Sequence, residues 1–370
     1  MKFFMCSFFK KLSFLLIVFL PLTNIYPNKS QNSNRTPQFF SKTYSKFLKH
    51  NPKNIKKKTY IWSAKTFHPF DELILSWNAK RPTQGFITFW ISLFHKKWSG
   101  WHKIAEWGSN YQLTFANKKN PLVHSTYVKI QTQKGLQAQG FKIRAVFNNG
   151  AQMKNLHALF ACCSDLKKFK RTSPNFNLPS TMIQGVPLQS QMVLDHYRAH
   201  HLCSPTSLSM IISYFNKTLG IPPQQSLHDY SIDFAEKVHD LSPLNIFGSW
   251  PLNIAQAYHE TYGNIFYRTE RLNNFYDLYR RLVNKIPVAV SVRKLKNGAT
   301  PYSNGHFLVV IGWDRSKQSI ICLDPAFSPT STIVKKYKLS DFLKAWGRSY
   351  YLSYIPLPKK NNSRKKTISA

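Results

Sequence analysis

Cys203-Ser-Pro-Thr-Ser-Leu-Ser-Met-Ile-Ile-Ser-Tyr-Phe215 is the stretch on which the reading of this 370-residue chain turns. Leu208, Ile211, Ile212 and Phe215 recur at i, i+3, i+4 and i+7, the spacing of an amphipathic helix. Pro205 falls near the first turn, where a missing N–H is harmless. Cys203 is thereby placed at a helix N-terminus, where unpaired N–H groups and the macrodipole favour a thiolate and lower the thiol pKa. A cysteine alone decides little, because free Cys commonly serves as a small buried hydrophobe.

Working outward, Asn274 caps a second expected helix whose Phe275, Leu278, Tyr279 and Leu282 share one face. A strand is expected over residues 286–292. Ser303-Asn-Gly-His306 then runs into an apolar strand over residues 307–313, which puts a histidine at the strand's mouth. A further strand, residues 320–323, delivers Asp324-Pro325 at its end. Cys at a helix start, His entering one strand and Asp leaving the next follow the chain order of papain-like nucleophilic sites. That chemistry needs a thiolate to attack a carbonyl, an imidazole to activate it and protonate the leaving amine, and a carboxylate to orient the ring.

Six pieces in order then become recognisable: Val186-Pro187-Leu-Gln-Ser-Gln191, Cys203-Ser-Pro-Thr-Ser-Leu-Ser-Met210, Gly248-Ser-Trp-Pro-Leu-Asn-Ile-Ala255, Gly305-His306-Phe-Leu-Val-Val310, Asp324-Pro325-Ala326 and Phe342-Leu-Lys-Ala-Trp346. With them, residues 186–356 resemble the C39-like cysteine peptidase family, in its branch without transporter domains. The resemblance implies an α+β papain-like domain with Cys203 as nucleophile, His306 as general base and acid, and Asp324 orienting His306. It also implies that Gln191 supplies the side-chain donor of an oxyanion hole beside the Cys203 N–H. Gln189 is a rival for that role, and Asp314 a rival for the carboxylate. Trp250 is read as wall of the site, and His239-Asp240 fall near the family's middle motif.

Residues 60–162 read as an all-β sandwich domain. Residues 73–77, 86–94, 111–115, 123–130 and 141–147 are short runs rich in β-branched and aromatic residues, separated by turn chemistry such as Pro82-Thr83-Gln84-Gly85 and Asn148-Asn149-Gly150. Phe141, Ile143, Ala145 and Phe147 alternate with Lys142, Arg144 and Val146, as one buried and one wet face requires. Trp98, Trp101 and Trp107 invite a sugar-stacking reading, against which core or corner tryptophans are favoured. The segment also looks like the N-terminal domain of some family members, through Ser76-Trp77-Asn78 and the Trp98/Trp101 pair.

The charge is unevenly spread. Lys and Arg number 52 against 15 Asp and Glu, a formal net charge of +37. Residues 181–358, the expected peptidase domain, hold 18 bases against 11 acids. Residues 27–59 hold nine bases and no acid and read as a solvated basic linker or tether, residues 163–180 as a second linker, and residues 359–370 as a basic tail. Residues 1–26 read as a signal peptide or uncleaved anchor: Lys2, Lys10 and Lys11 precede an apolar run over residues 12–22, too short to span a bilayer. Export follows, to the periplasm, the cell surface or the medium.

Cys162-Cys163 and Cys322 sit in no motif and form no disulfide framework. His196 and His200 form an H-x-x-x-H pair without the Glu that a metalloprotease places second, and read as a solvated loop; no metal and no cofactor is expected. The function expected is an exported cysteine hydrolase, peptidase or amidase, cleaving peptide or isopeptide bonds in a peptide or peptidoglycan-type substrate through an acyl-enzyme. The alternative is a surface- or wall-binding protein that uses the sandwich and basic arm, with a degenerate or acyl-transferring site. The basic segments suit an anionic membrane or cell wall; a nucleic-acid partner rests on charge alone and fits export poorly. The oligomeric state is not encoded in any of these features.

Overall fold

The alternation at residues 141–147 sits in a long strand, Ala138–Asn148, whose Phe141, Ile143, Ala145 and Phe147 are buried while Lys142, Arg144 and Val146 are partly exposed. In the computed structural model, which describes residues 43–52, 58–117, 119–173, 177–299, 302 and 305–358, this strand lies between Thr59–Phe70 and Phe86–His95. Antiparallel pairing then continues through His102–Gly108, Gln112–Asn117, Val123–Tyr127, Ile130–Thr132, Glu72–Ala79, Leu156–Ser164 and Ser45–His50, with Lys97–Trp98 paired onto Phe86–His95. The result is an 11-stranded sheet that folds over on itself. Leu73, Leu75 and Trp77 of one layer meet Ile87, Phe89 and Ile91 of the other in one core, where Trp77 stacks on Phe89 at 4.2 Å between centroids.

Two expectations need correction here. Ser45–His50, expected inside a basic linker, is a strand paired with Leu156–Ser164, and Ser45 faces Ser164. Its lysines do not simply reach into water: Lys49 lies over the Phe266 ring at 4.4 Å, and Phe47 takes the Arg268 guanidinium at 3.4 Å. Burial there, aided by the neighbouring Arg268, pulls the Lys49 pKa down. Cys163 and Ser164, expected to open the second linker, are the last residues of a buried strand. The expected signal segment, residues 27–42 and 53–57 of the expected linker, and the tail from residue 359 lie outside the described residues.

From Thr181 the chain builds a second sheet of seven strands around a second core. Its order is Ile265–Arg271, Leu352–Pro358, Val288–Val292, His306–Asp314, Ser319–Leu323 and Val334–Lys338, with Thr181–Met182 added to His306–Asp314, all antiparallel. Five helices accompany it among the described residues: α1 (Cys203–Thr218), α2 (Leu227–Val238), α3 (Trp250–Glu260), α4 (Phe275–Val283) and α5 (Leu339–Gly347). Leu208, Ile211, Ile212 and Phe215 bury the expected face of α1, which packs on His306–Asp314, α2 and α3. Asn274 caps α4 as expected, its side chain accepting the Asp277 N–H at 2.9 Å. No helix among the described residues is long and apolar enough to cross a membrane.

The two sheets are docked, not strung together. The described residues belong to one compact unit, and Glu72–Ala79 is buried on both of its faces. On the face away from its own core, Asn78 completes the free edge of the second sheet: its Nδ2 donates to Tyr267 O at 2.7 Å and its Oδ1 accepts the Tyr267 N–H at 2.7 Å. Ser76 Oγ accepts the Thr269 N–H at 2.9 Å two residues along. Asn and Ser side chains thereby do what a neighbouring strand would do for an exposed edge.

Candidate active site

Cys203 is the first residue of α1, and its setting follows from what the helix start lacks. The residue before the helix, Leu202, offers no side-chain cap, and the first turn holds no acid. Pro205 contributes no N–H, so the unpaired donors at this end are concentrated around the sulfur. Cys203 is partly exposed, whereas Cys162, Cys163 and Cys322 are buried. Ser204 anchors the turn through contacts of its Oγ with Asn253 Oδ1 at 3.1 Å and Tyr354 Oη at 3.0 Å. One turn on, Ser207 Oγ donates to Phe307 O at 3.2 Å and so fixes the helix against the strand that carries His306.

His306 opens the His306–Asp314 strand and is buried, as is Asp324 just beyond the end of Ser319–Leu323. His306 Nε2 hydrogen-bonds Asp324 Oδ1 at 2.7 Å. A carboxylate only accepts, so Nε2 carries the proton and Nδ1 is left for the sulfur. Cys203 and the imidazole are near enough for each to shift the other's pKa. Three sequence-separated elements therefore bring Cys203, His306 and Asp324 into one chain of contacts. Gly305, immediately before the histidine, has φ +101°, a conformation that glycine adopts without cost and that turns the loop into the strand.

The electrostatics agree with the geometry. Burial pushes the Cys203 thiol up, but the hydrogen bond and charge of His306, with the Phe307 and Ser204 N–H groups, outweigh it and leave the pKa below the ordinary thiol value. Burial likewise disfavours charged His306, yet the Asp324 carboxylate and the Cys203 sulfur raise it to about 10. Asp324 is held below the usual carboxylate range despite its burial, by His306, the Tyr337 hydroxyl and the Ala326 N–H. Thiolate and imidazolium stabilise one another.

Gln191 and its rival Gln189 are both buried, and their segment is knitted to the acid. The Gln191 N–H donates to Pro325 O at 2.8 Å and Ser190 Oγ to the same oxygen at 3.3 Å. Gln191 Nε2 donates to Ala199 O at 3.0 Å, while its Oε1 is buried without a partner. Gln189 Nε2 is turned to Ser190 O at 3.0 Å. Asp314 is away from this group, in a turn where it accepts from Ser316 Oγ at 2.8 Å and pairs with Lys336. Trp250 begins α3, partly buried against the second core. The His196 ring is not a free loop group: it stacks on Tyr197 and bonds Glu236 Oε1 at 2.7 Å.

Residues 183–354 match the Peptidase_C39 like family. The recognition made from six motifs over residues 186–356 is borne out over nearly the same span. Among solved structures, the chain is similar to a crystal structure described as that of a candidate C39-like peptidase from Bacillus anthracis, at 16% identity, covering 49% of this chain and 99% of that one. The TM-score of 0.36 is too low to establish a shared fold. No curated protein matches the chain. The C39-like family points to a cysteine hydrolase at the level of distant relationship.

Two tyrosines escaped the sequence reading. Tyr302 lies on the His306 ring, centroids 3.9 Å apart and planes 11° off parallel, and its hydroxyl reaches Asp324 Oδ2 at 3.2 Å. Tyr337 Oη donates to the same oxygen at 2.7 Å. Nothing in a lone loop tyrosine or in Lys335-Lys336-Tyr337-Lys338 signals such a role; only the strand register, which sets Tyr337 opposite Ile320, does so. A cavity of about 1160 Å³ lies elsewhere. It is lined by Ser213, Asn216 and Lys217 toward the far end of α1, roughly 15–20 Å from Cys203 at 1.5 Å per helical residue.

Proposed function

We propose that this chain is an exported cysteine hydrolase, a peptidase or amidase acting on peptide or isopeptide bonds through Cys203, His306 and Asp324. The observation that carries the reading is His306, which lowers the pKa of the Cys203 thiol at the helix start and holds Asp324 through Nε2 at 2.7 Å. The same arrangement, a thiol at a helix start against the strand that bears its base, supports a papain-like domain.

In this reading the Cys203 thiolate attacks the substrate carbonyl carbon. Negative charge developing on the carbonyl oxygen is met by the Cys203 N–H at the uncapped helix start. Gln191 adds a second donor: its amide has two N–H groups, and Ala199 O takes one of them. The carbon–nitrogen bond then breaks as His306 gives its proton to the leaving amine, leaving a thioester on Cys203. Water, deprotonated by neutral His306, attacks the thioester carbon and expels the sulfur as thiolate.

Export rests on Lys2, Lys10 and Lys11 ahead of the apolar residues 12–22. Retention at an anionic membrane or wall rests on the basic segments, and a peptide or peptidoglycan-type substrate on that location. A surface-binding role with a degenerate site is the weaker reading, because Cys203, His306, Asp324 and Gln191 are all present. A screen of peptides and peptidoglycan fragments with the full chain tests the proposal, with Cys203→Ala as blank. Cleavage by wild type and none by the variant is expected. Cleavage that survives in the variant refutes the assignment of the nucleophile.

A further inference from the structure

The outer face of the folded-over sheet, on the layer built from Thr59–Phe70, Ala138–Asn148, Phe86–His95 and His102–Gly108, carries tryptophans and cations in register. Arg144 stands opposite Ile61 on one neighbouring strand and Trp90 on the other, and Trp90 stands opposite Lys103. The Arg144 guanidinium lies between two indoles, 4.9 Å from the Trp90 ring and 4.4 Å from the Trp101 ring. Two residues along the same strand, Lys142 Nζ lies 4.1 Å over Trp98, which itself rests on Phe94 at 5.1 Å. Ile61 is 51% exposed and Trp98 39%, so the corner tryptophan at 98 is not core, in contrast to fully buried Trp107.

Charge on this face is unbalanced. Lys65, Lys142 and Arg144 belong to it, while the acid within these strands, Glu106, is taken by Lys103 at 2.6 Å. A surface arginine ordinarily pairs with a carboxylate. Arg144 is instead steadied by two aromatic faces, and its Nε–H has no hydrogen-bond partner. Lys142 and Arg144, two residues apart on a strand, set cations about 7 Å apart. Indole faces between regularly spaced cations suit rings with apolar faces that carry anions.

We propose that this face binds an anionic polysaccharide of the uronate type, sugar rings packing on Trp98 and Trp101 and carboxylates meeting Lys142 and Arg144. The inference does not depend on the Cys203 chemistry. A bilayer would call for apolar side chains that project beyond the cations; here the cations lie against the rings at sheet level. The layer that carries the face belongs to the compact unit described above.

The test is retention of the full chain on immobilised polygalacturonate, with neutral dextran, phosphatidylglycerol vesicles and single-stranded DNA as other arms. Wild type is expected to prefer polygalacturonate to all three and to lose retention as salt rises. Trp98→Ala and Lys142→Glu are each expected to weaken binding about tenfold, the equivalent of about 1.4 kcal/mol. The Cys203 alkylation rate should stay unchanged in both, which reports intact folding. Tryptophan emission of wild type, titrated with polygalacturonate, gives a reading that needs no variant, and a change is expected. Preference for vesicles or DNA, equal retention on dextran, wild-type binding by both variants, or unchanged emission overturns the proposal.

Discussion

Asp324 accepts hydrogen bonds from His306 at 2.7 Å, Tyr337 at 2.7 Å, Ala326 N at 3.1 Å and Tyr302 at 3.2 Å. Four donors on one buried carboxylate explain how it stays charged in an apolar place and keeps His306 protonated to about 10. The pH dependence has a definite sign. Activity rises as the Cys203 thiol ionises below its ordinary value and falls as His306 loses its proton near about 10. Asp324→Asn removes the charge that raises His306, so the alkaline limb of kcat/KM should move to lower pH and the rate fall by on the order of 10²–10⁴. An alkaline limb left in place would contradict the assigned role. Tyr337→Phe leaves the carboxylate one donor short, and a loss of about 1.5–3 kcal/mol in unfolding free energy is expected from denaturant titration.

At the scale of elements, the side chains of Ser76 and Asn78 replace a missing strand at the edge of the second sheet. Asn78→Ala strands the Tyr267 N–H and C=O in a buried interface and should cost about 1–3 kcal/mol in chemical denaturation; a change under about 0.5 kcal/mol would show the edge to be satisfied otherwise. How far such elements can be read in advance depends on which face is wet. The helix at Cys203, the Asn274 cap and residues 141–147 announce themselves because one face is polar. Leu156–Ser164 has no alternation to read, since both of its faces are covered. Ser45–His50 looks like linker because lysines flank Phe47, and its pairing partner lies more than a hundred residues away. Cys203, His306 and Asp324 are legible from their positions at element ends. The partners of Asp324 are not, because a hydroxyl 13 or 22 residues distant leaves no local pattern.

At the scale of the whole molecule, buried charge joins the two sheets. Glu72 is fully buried and takes Arg271 from the second sheet and Lys129 from its own, and Arg271 Nη1 also donates to Ser349 O at 2.7 Å. Burial raises the Glu72 carboxyl, but its two cations outweigh that and hold it below its ordinary value. A depressed carboxyl stabilises the fold above its unfolded pKa and ceases to do so as pH falls through the folded one. Glu72→Ala should therefore cost about 3–5 kcal/mol near neutrality, measured by denaturant titration, and the difference from wild type should shrink in acid. The net charge of +37 sits mostly outside residues 181–358, so most of it is not carried by the segment that holds Cys203, His306 and Asp324.

The proposed nucleophile, too, is a property of the folded whole, since the sulfur, base and acid assigned to it come from positions 203, 306 and 324. The most direct measurement is the rate at which iodoacetamide alkylates each cysteine as pH is varied, in folded and in denatured chain. The account predicts that folded Cys203 reacts ahead of Cys162, Cys163 and Cys322, with a midpoint below that of an ordinary thiol, about 8.5. In denaturant or in His306→Ala the midpoint should return toward the ordinary value. A folded Cys203 that titrates as an ordinary thiol, indifferent to His306→Ala, would contradict it.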